Sequence, residues 1–267
     1  MPIELSTEIR PLEQKEFHRL DHRVMRMIFD IHNEFGRFLD ESLFKQEVAA
    51  RCLESELCPV QREIRVRVTH ADFAKDYFLD FLIGSGFLLE LKTAETLAPV
   101  HRSQVLNYLF LTGLHHATLV NLRPQRVQRE FVSTGLTVEK RKHFNVTNAR
   151  WCDNSDSATW LKQTVIALAN DWGAFLEVSL YREAVTHLLG GAEAVRKRVP
   201  VLSGDRCLGT QVMHLLDPET AFTFTAVTSN QAASESHQKR FLSHTRLKSL
   251  HWINFNHHQI EFVTLER

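Results

Sequence analysis

The chain has 267 residues, enough for one large or two small domains with a substantial core. Its 32 basic side chains balance its 32 acidic ones, which argues against non-specific coating of nucleic acid though not against a local groove. No run approaches the roughly 20 apolar residues of a membrane span. The polar start MPIELSTEIRPLEQKEF lacks the apolar centre of a secretory leader, and four cysteines without paired spacing read as reduced, buried thiols of a cytoplasmic protein.

Residues 13–31 place Phe17, Leu20, Val24, Ile28 and Ile31 at helical spacing, which predicts an amphipathic helix ended by Asn33 or Gly36. A second helix is expected over 39–57, with Leu43, Phe44, Val48, Ala49 and Leu53 inward and Cys58-Pro59 closing it. From Gln61 to His70 the chain alternates as a half-buried strand, with Ile64, Val66 and Val68 on one face. Apolar runs 77–83 and 87–92 then flank Gly84-Ser85-Gly86 and predict a hairpin. A helix is expected over 101–112 and strands over 117–122 and 129–132. The order helix–helix–β–β–β–helix–β fits a mixed sheet packed against helices.

With the hairpin turn centred on Ser85, Asp80 stands opposite Glu90. Leu79, Phe81, Ile83, Phe87, Leu89 and Leu91 share one face, and Phe78, Asp80, Leu82, Leu88, Glu90 and Lys92 share the other. Two opposed carboxylates on an apolar face repel each other and resist burial. A hard divalent cation between them, Mg²⁺ above all, would remove the conflict.

The spacing of Asp80 and Glu90-Leu91-Lys92 resembles the D…ExK core of the PD-(D/E)XK nuclease superfamily. Gln104-x-x-x-Tyr108 resembles the extra motif of its RecB-like branch; four residues apart on a helix, the two side chains share a face. Over residues 20–135 the chain is also similar to the GxxExxY proteins of that superfamily. It carries their His32-Asn33-Glu34-Phe35-Gly36 run, with Glu41 at the family glutamate, but Phe38 in place of a glycine and Phe44 in place of the tyrosine.

The resemblance implies a restriction-endonuclease-like α/β fold, a mixed β-sheet flanked by helices. It implies a nuclease in which Asp80, Glu90 and the Leu91 carbonyl hold Mg²⁺ or Mn²⁺, with Glu41 a further candidate ligand. Lys92 would orient water or stabilise charge, and Gln104 and Tyr108 would hold Lys92 or a phosphate. Arg65, Arg67, His101 and Arg102 are candidate grips for nucleic acid, DNA ahead of RNA. A protein that kept the fold to bind nucleic acid without cutting, or to act as a scaffold, is the alternative.

The second half repeats the first. At an offset of 137, NEFGRFLDESLF (33–44) lies over NDWGAFLEVSLY (170–181). An offset of 135 sets Thr225 under Glu90 and Val227 under Lys92, so the copy has no ExK motif. The expected organisation is a nuclease-like domain over 1–145 and a degenerate repeat over 146–267, tandem duplicated and joined by an exposed polar linker near 136–157. That arrangement is compatible with an intramolecular pseudo-dimer or a homodimer.

Overall fold

A computed structural model describes residues 2–57 and 59–267; the expected helix-closing role of Cys58 lies outside the described residues. The chain divides into two compact units, Met1–Val68 with Lys75–Val138, and Thr69–Ala74 with Glu139–Arg267.

The first unit runs β1 (Ile3–Leu5), α1 (Gln14–Phe35), α2 (Glu41–Glu54), β2 (Val60–His70), β3 (Phe73–Ile83), β4 (Phe87–Lys92), α3 (Pro99–Thr112), β5 (His116–Asn121) and β6 (Gln128–Ser133). Its six strands form one sheet in sequence order. β3–β4 and β5–β6 are antiparallel, while β4 and β5 are parallel, as the α3 crossover between them requires. The hairpin register pairs Phe81 with Leu89 and Ile83 with Phe87, as a turn centred on Ser85 demands.

That turn is fixed by close approach. A Cβ on Gly86 would lie 2.0 Å from the Arg10 carbonyl oxygen, and the Arg10 N–H donates to the Ser85 carbonyl at 2.7 Å. One hairpin face, including Phe81, Phe87, Leu89 and Leu91, packs on Phe17, Val24, Ile28 and Ile31 of α1. Each such side chain contributes roughly 1.5–3 kcal/mol on full burial. Gly36 ends α1 with φ of 70° and its N–H on the His32 carbonyl.

α2 is rotated from the expected phase: Phe44, Val48 and Cys52 are buried, whereas Leu43 and Leu53 are exposed. The buried stripe follows strict four-residue steps, and the leucines flank it. α1 also buries a charge. Asp21 accepts from the Thr118 hydroxyl at 2.6 Å and pairs with Arg129.

The second unit contains α4 (Val138–Lys142), β7 (Asn145–Arg150), α5 (Asp156–Trp172), α6 (Val178–Leu188), α7 (Ala192–Val195), β8 (Arg196–Ser203), β9 (Arg206–Asp217), β10 (Thr220–Thr225), α8 (Gln231–Ser243), β11 (Ser249–Asn256) and β12 (Gln259–Glu266). Its six-stranded sheet has the order β7-β12-β11-β10-β9-β8. The segment expected as a linker is structured. β7 pairs with β12 through its backbone, and Arg141 is buried with its Nη1 donating to the Trp172 carbonyl at 2.7 Å. A polar edge strand carries no apolar alternation, so its side chains do not announce it. The cysteines also depart from expectation: Cys52 is buried, Cys152 half-buried and Cys207 exposed.

The strands β8 to β12 repeat the order of β2 to β6, including a parallel β10–β11 pair bridged by α8. Thr225 stands opposite Asn254 as Lys92 stands opposite Asn121. Asn121 Oδ1 accepts from Ala94 N–H at 3.0 Å and its amide donates to the Ala94 carbonyl at 2.7 Å. Asn254 clamps Val227 in the same way, at 2.8 and 2.9 Å. These pairings correct the strand offset from 135 to 133. Thr223 and Thr225 stand at the positions of Glu90 and Lys92.

Candidate active site

β4 lies between β3 and β5, and this central position takes Glu90 out of water; it is 1% exposed. Asp80, on β3, is 8% exposed. Leu82 and Leu88 are fully buried beside them on the same hairpin face, so both carboxylates stand among apolar side chains. Asp80 Oδ2 accepts the Leu91 N–H at 2.9 Å, and its Oδ1 accepts from Lys45 Nζ at 2.6 Å. Lys45 also lies 2.8 Å from Glu41, one turn earlier on α2. Lys92 Nζ donates to Glu90 Oε1 at 2.7 Å. The second Glu90 oxygen, Oε2, is buried and has no hydrogen-bond partner among the described residues.

The electrostatics follow from burial. Desolvation, then the neighbouring Asp80 charge, pushes Glu90 up to about 7 against the opposing pull of Lys92. Desolvation raises Asp80 as well, partly offset by the Lys45 ammonium and the Leu91 N–H. Burial lowers Lys45, but its hydrogen bonds to Asp80 and Glu41 outweigh that and the net direction is up. An orphaned carboxylate oxygen beside a second buried carboxylate fits a hard divalent cation. Among the described residues no three or more His, Cys, Asp or Glu side chains converge as a ready cage. Glu41 and Asp80 are bridged by the Lys45 ammonium.

Gln104 and Tyr108 share a face of α3, with the Gln104 amide donating to the Tyr108 hydroxyl at 2.7 Å. The Tyr77 ring meets Tyr108 edge-on, with 6.5 Å between ring centroids. Of the four candidate grips, Arg65 is exposed on β2 and Arg67 pairs with Asp76 at 2.9 Å. His101 Nδ1 accepts the Ala98 N–H at 3.0 Å and so caps α3, and Arg102 lies 3.7 Å from Glu130. Sequence reasoning missed Lys45 and Asn121. Lys45 could have been found from its place four residues after Glu41; Asn121 carries no such signal, because its clamp on Ala94 is a tertiary contact.

Residues 18–134 match the family model of the PD-(D/E)XK nuclease superfamily. The match takes in β2 to β6, α2, whose Lys45 reaches Asp80, and α3, so the PD-(D/E)XK-like segment is also the segment that carries Asp80, Glu90 and Lys92. No curated protein matches the chain. Among solved structures, one titled "Crystal structure of SSO0001" is 18% identical with a TM-score of 0.24, and the match covers 41% of this chain and 65% of that one.

Proposed function

We propose that the first unit is a divalent-metal-dependent nuclease that hydrolyses phosphodiester bonds, with DNA its substrate ahead of RNA. One observation carries the reading: Asp80 and Glu90 are buried side by side in the PD-(D/E)XK-like segment, with Lys92 on one Glu90 oxygen and, among the described residues, no hydrogen-bond partner on the other. Asp80, Glu90 and the Leu91 carbonyl would hold Mg²⁺ or Mn²⁺, which when bound supplies Lewis acidity at a phosphoryl oxygen. Lys92 would keep its ammonium toward the reacting phosphate and stabilise developing charge. Glu41 would take part through Lys45, and Gln104 and Tyr108 would brace α3 beside the site. The second unit is read as a worn copy of the first in a GxxExxY-type chain; the shared strand order and the paired Asn121 and Asn254 clamps support this.

The test incubates the pure protein with labelled single- and double-stranded DNA and RNA, with Mn²⁺ or EDTA, beside Glu90→Ala. Cleavage that needs Mn²⁺ and disappears in the variant is expected; wild-type protein that cuts none of the four substrates sinks the reading. The Lys45 ammonium on Asp80 favours a second reading, a protein that binds nucleic acid without cutting. Under that reading Lys92→Ala changes nothing measurable, whereas a nuclease loses cleavage and keeps binding.

A further inference from the structure

The second unit holds a cavity where the first has its carboxylates. Phe222 pairs with His214 as Leu89 pairs with Phe81, so Met213 stands at the position of Asp80. Thr223 and Thr225 stand at those of Glu90 and Lys92. The turns after α3 and α8 match as well: Leu114 N–H donates to the Thr112 hydroxyl at 3.3 Å, and Leu247 N–H to the Thr245 hydroxyl at 3.2 Å. Hence His237 and Phe241 occupy the places of Gln104 and Tyr108. α6 begins at Val178 as α2 begins at Glu41, which puts Arg182 at the place of Lys45.

The consequence is an inversion of charge. Each acid of the first site is replaced by a neutral side chain, yet the cation survives as Arg182. Lys45 has Asp80 and Glu41 to neutralise it, whereas Val178 and Met213 offer Arg182 nothing. Arg182, Arg196, His187 and His214 line a cavity of about 450 Å³ together with Thr186 and the exposed Glu183. Among the described residues neither arginine side chain has an acidic partner. His187 lies 3.3 Å from the exposed Asp72. The field of the two arginines is felt nearby: burial first, and then both guanidinium charges, lower the His214 pKa.

His214 also lines a second, adjoining cavity of about 570 Å³, whose walls include Met213, Phe241, Thr223 and Thr225. Both volumes fall in the range of small-molecule sites. Each has an unfilled polar group in its lining. The Thr186 hydroxyl and Gln238 Oε1 are buried without hydrogen-bond partners among the described residues. A hydroxyl beside two arginines suits an anionic oxygen, and an unpaired amide oxygen calls for a hydrogen-bond donor such as an amine N–H. A phosphate joined to a flat, amine-bearing ring supplies both.

We propose that this paired cavity binds one nucleotide of single-stranded nucleic acid, its phosphate on Arg182 and Arg196 and its base in the cleft between Met213 and Phe241. An unstacked base is what such a cleft can admit, since duplex bases are not available for it. The second unit thereby acts as a substrate-holding module, a role independent of whether the first unit cuts.

The test measures anisotropy of a fluorescein-labelled oligonucleotide of mixed sequence with the full chain in EDTA, across a salt series. Arg182→Gln/Arg196→Gln should weaken binding at least tenfold and make the salt slope shallower by about 1. AMP should compete better than inorganic phosphate at equal ionic strength. Unchanged affinity and slope in the folded double variant overturn the proposal, as does competition by phosphate equal to that by AMP. Should the double variant misfold, the exposed Arg196→Glu reads the same contact: loss of binding is again expected, and binding that persists overturns the proposal. Absence of Mn²⁺-dependent cleavage by the wild type would sink only the nuclease reading.

Discussion

Glu90 keeps a carboxylate in a place that disfavours its charge, and the pH dependence follows. Its value rises from 4.5 to about 7 on folding, so between those limits the native state holds more protons than the unfolded chain. Metal-free stability is therefore fully supported below about 4.5 and is lost as pH rises through 7. Glu90→Gln should raise the metal-free melting temperature at pH 8, by an amount worth a few kcal/mol, and leave it little changed at pH 4. The same substitution should abolish any rise in melting temperature on adding Mn²⁺; a rise that persists would show that the ion sits elsewhere. Lys45→Ala strands the buried Asp80 charge and should cost about 3–5 kcal/mol in urea unfolding. Mn²⁺ should restore part of that loss, because a divalent cation answers the same charge. Asp80, Glu90 and Lys92 were legible because alternation along a strand fixes which side chains share a face. Lys45 was not: with α2 phased on Leu43 and Leu53, its approach to Asp80 depends on how a helix rolls against a sheet, which local spacing does not specify.

At the scale of elements, the β3–β4 hairpin is the part whose sequence leaves least freedom. Gly84 needs its φ of 63° but has open space around it, whereas Gly86 has the Arg10 carbonyl where a methyl would go. Gly84→Ala should cost about 1–2 kcal/mol, the ordinary penalty for that backbone region. Gly86→Ala should cost more and reduce the proposed cleavage with it, since the turn must shift and the nearness of Asp80 to Glu90 follows from the hairpin register that the turn sets. Equal melting temperatures for the two variants would contradict this. α1 and β2 could be read from the sequence by their repeating apolar faces, and β3 to β5 by apolar runs bounded by turn residues. β7 could not, because its six residues are all exposed and it is held by main-chain pairing to β12 and by polar contacts such as Arg150 with Glu235, none of which an apolar pattern announces.

For the whole molecule, the two units share strand order, a helix-bridged parallel pair and an asparagine clamp, beside the likeness of residues 33–44 to 170–181, and these likenesses support the proposed duplication. The offset that superposes the two units falls from 137 at α2 and α6 to 133 at β4 and β10, so the offset of 135 taken for the strand sets Thr225 two residues away from the position its backbone pairing gives it. Thr69–Ala74 is encoded inside the first unit yet counts with the second. There Trp172 Nε1 donates to the Thr69 carbonyl at 2.9 Å and Phe73 packs on Trp172 and His187. During synthesis this tip emerges about a hundred residues before the indole that receives it, so a ribosome must carry an uncovered phenylalanine through the making of more than a third of the protein. A fragment ending at Val138 should accordingly bind the dye ANS and self-associate, and Phe73→Ser should relieve both.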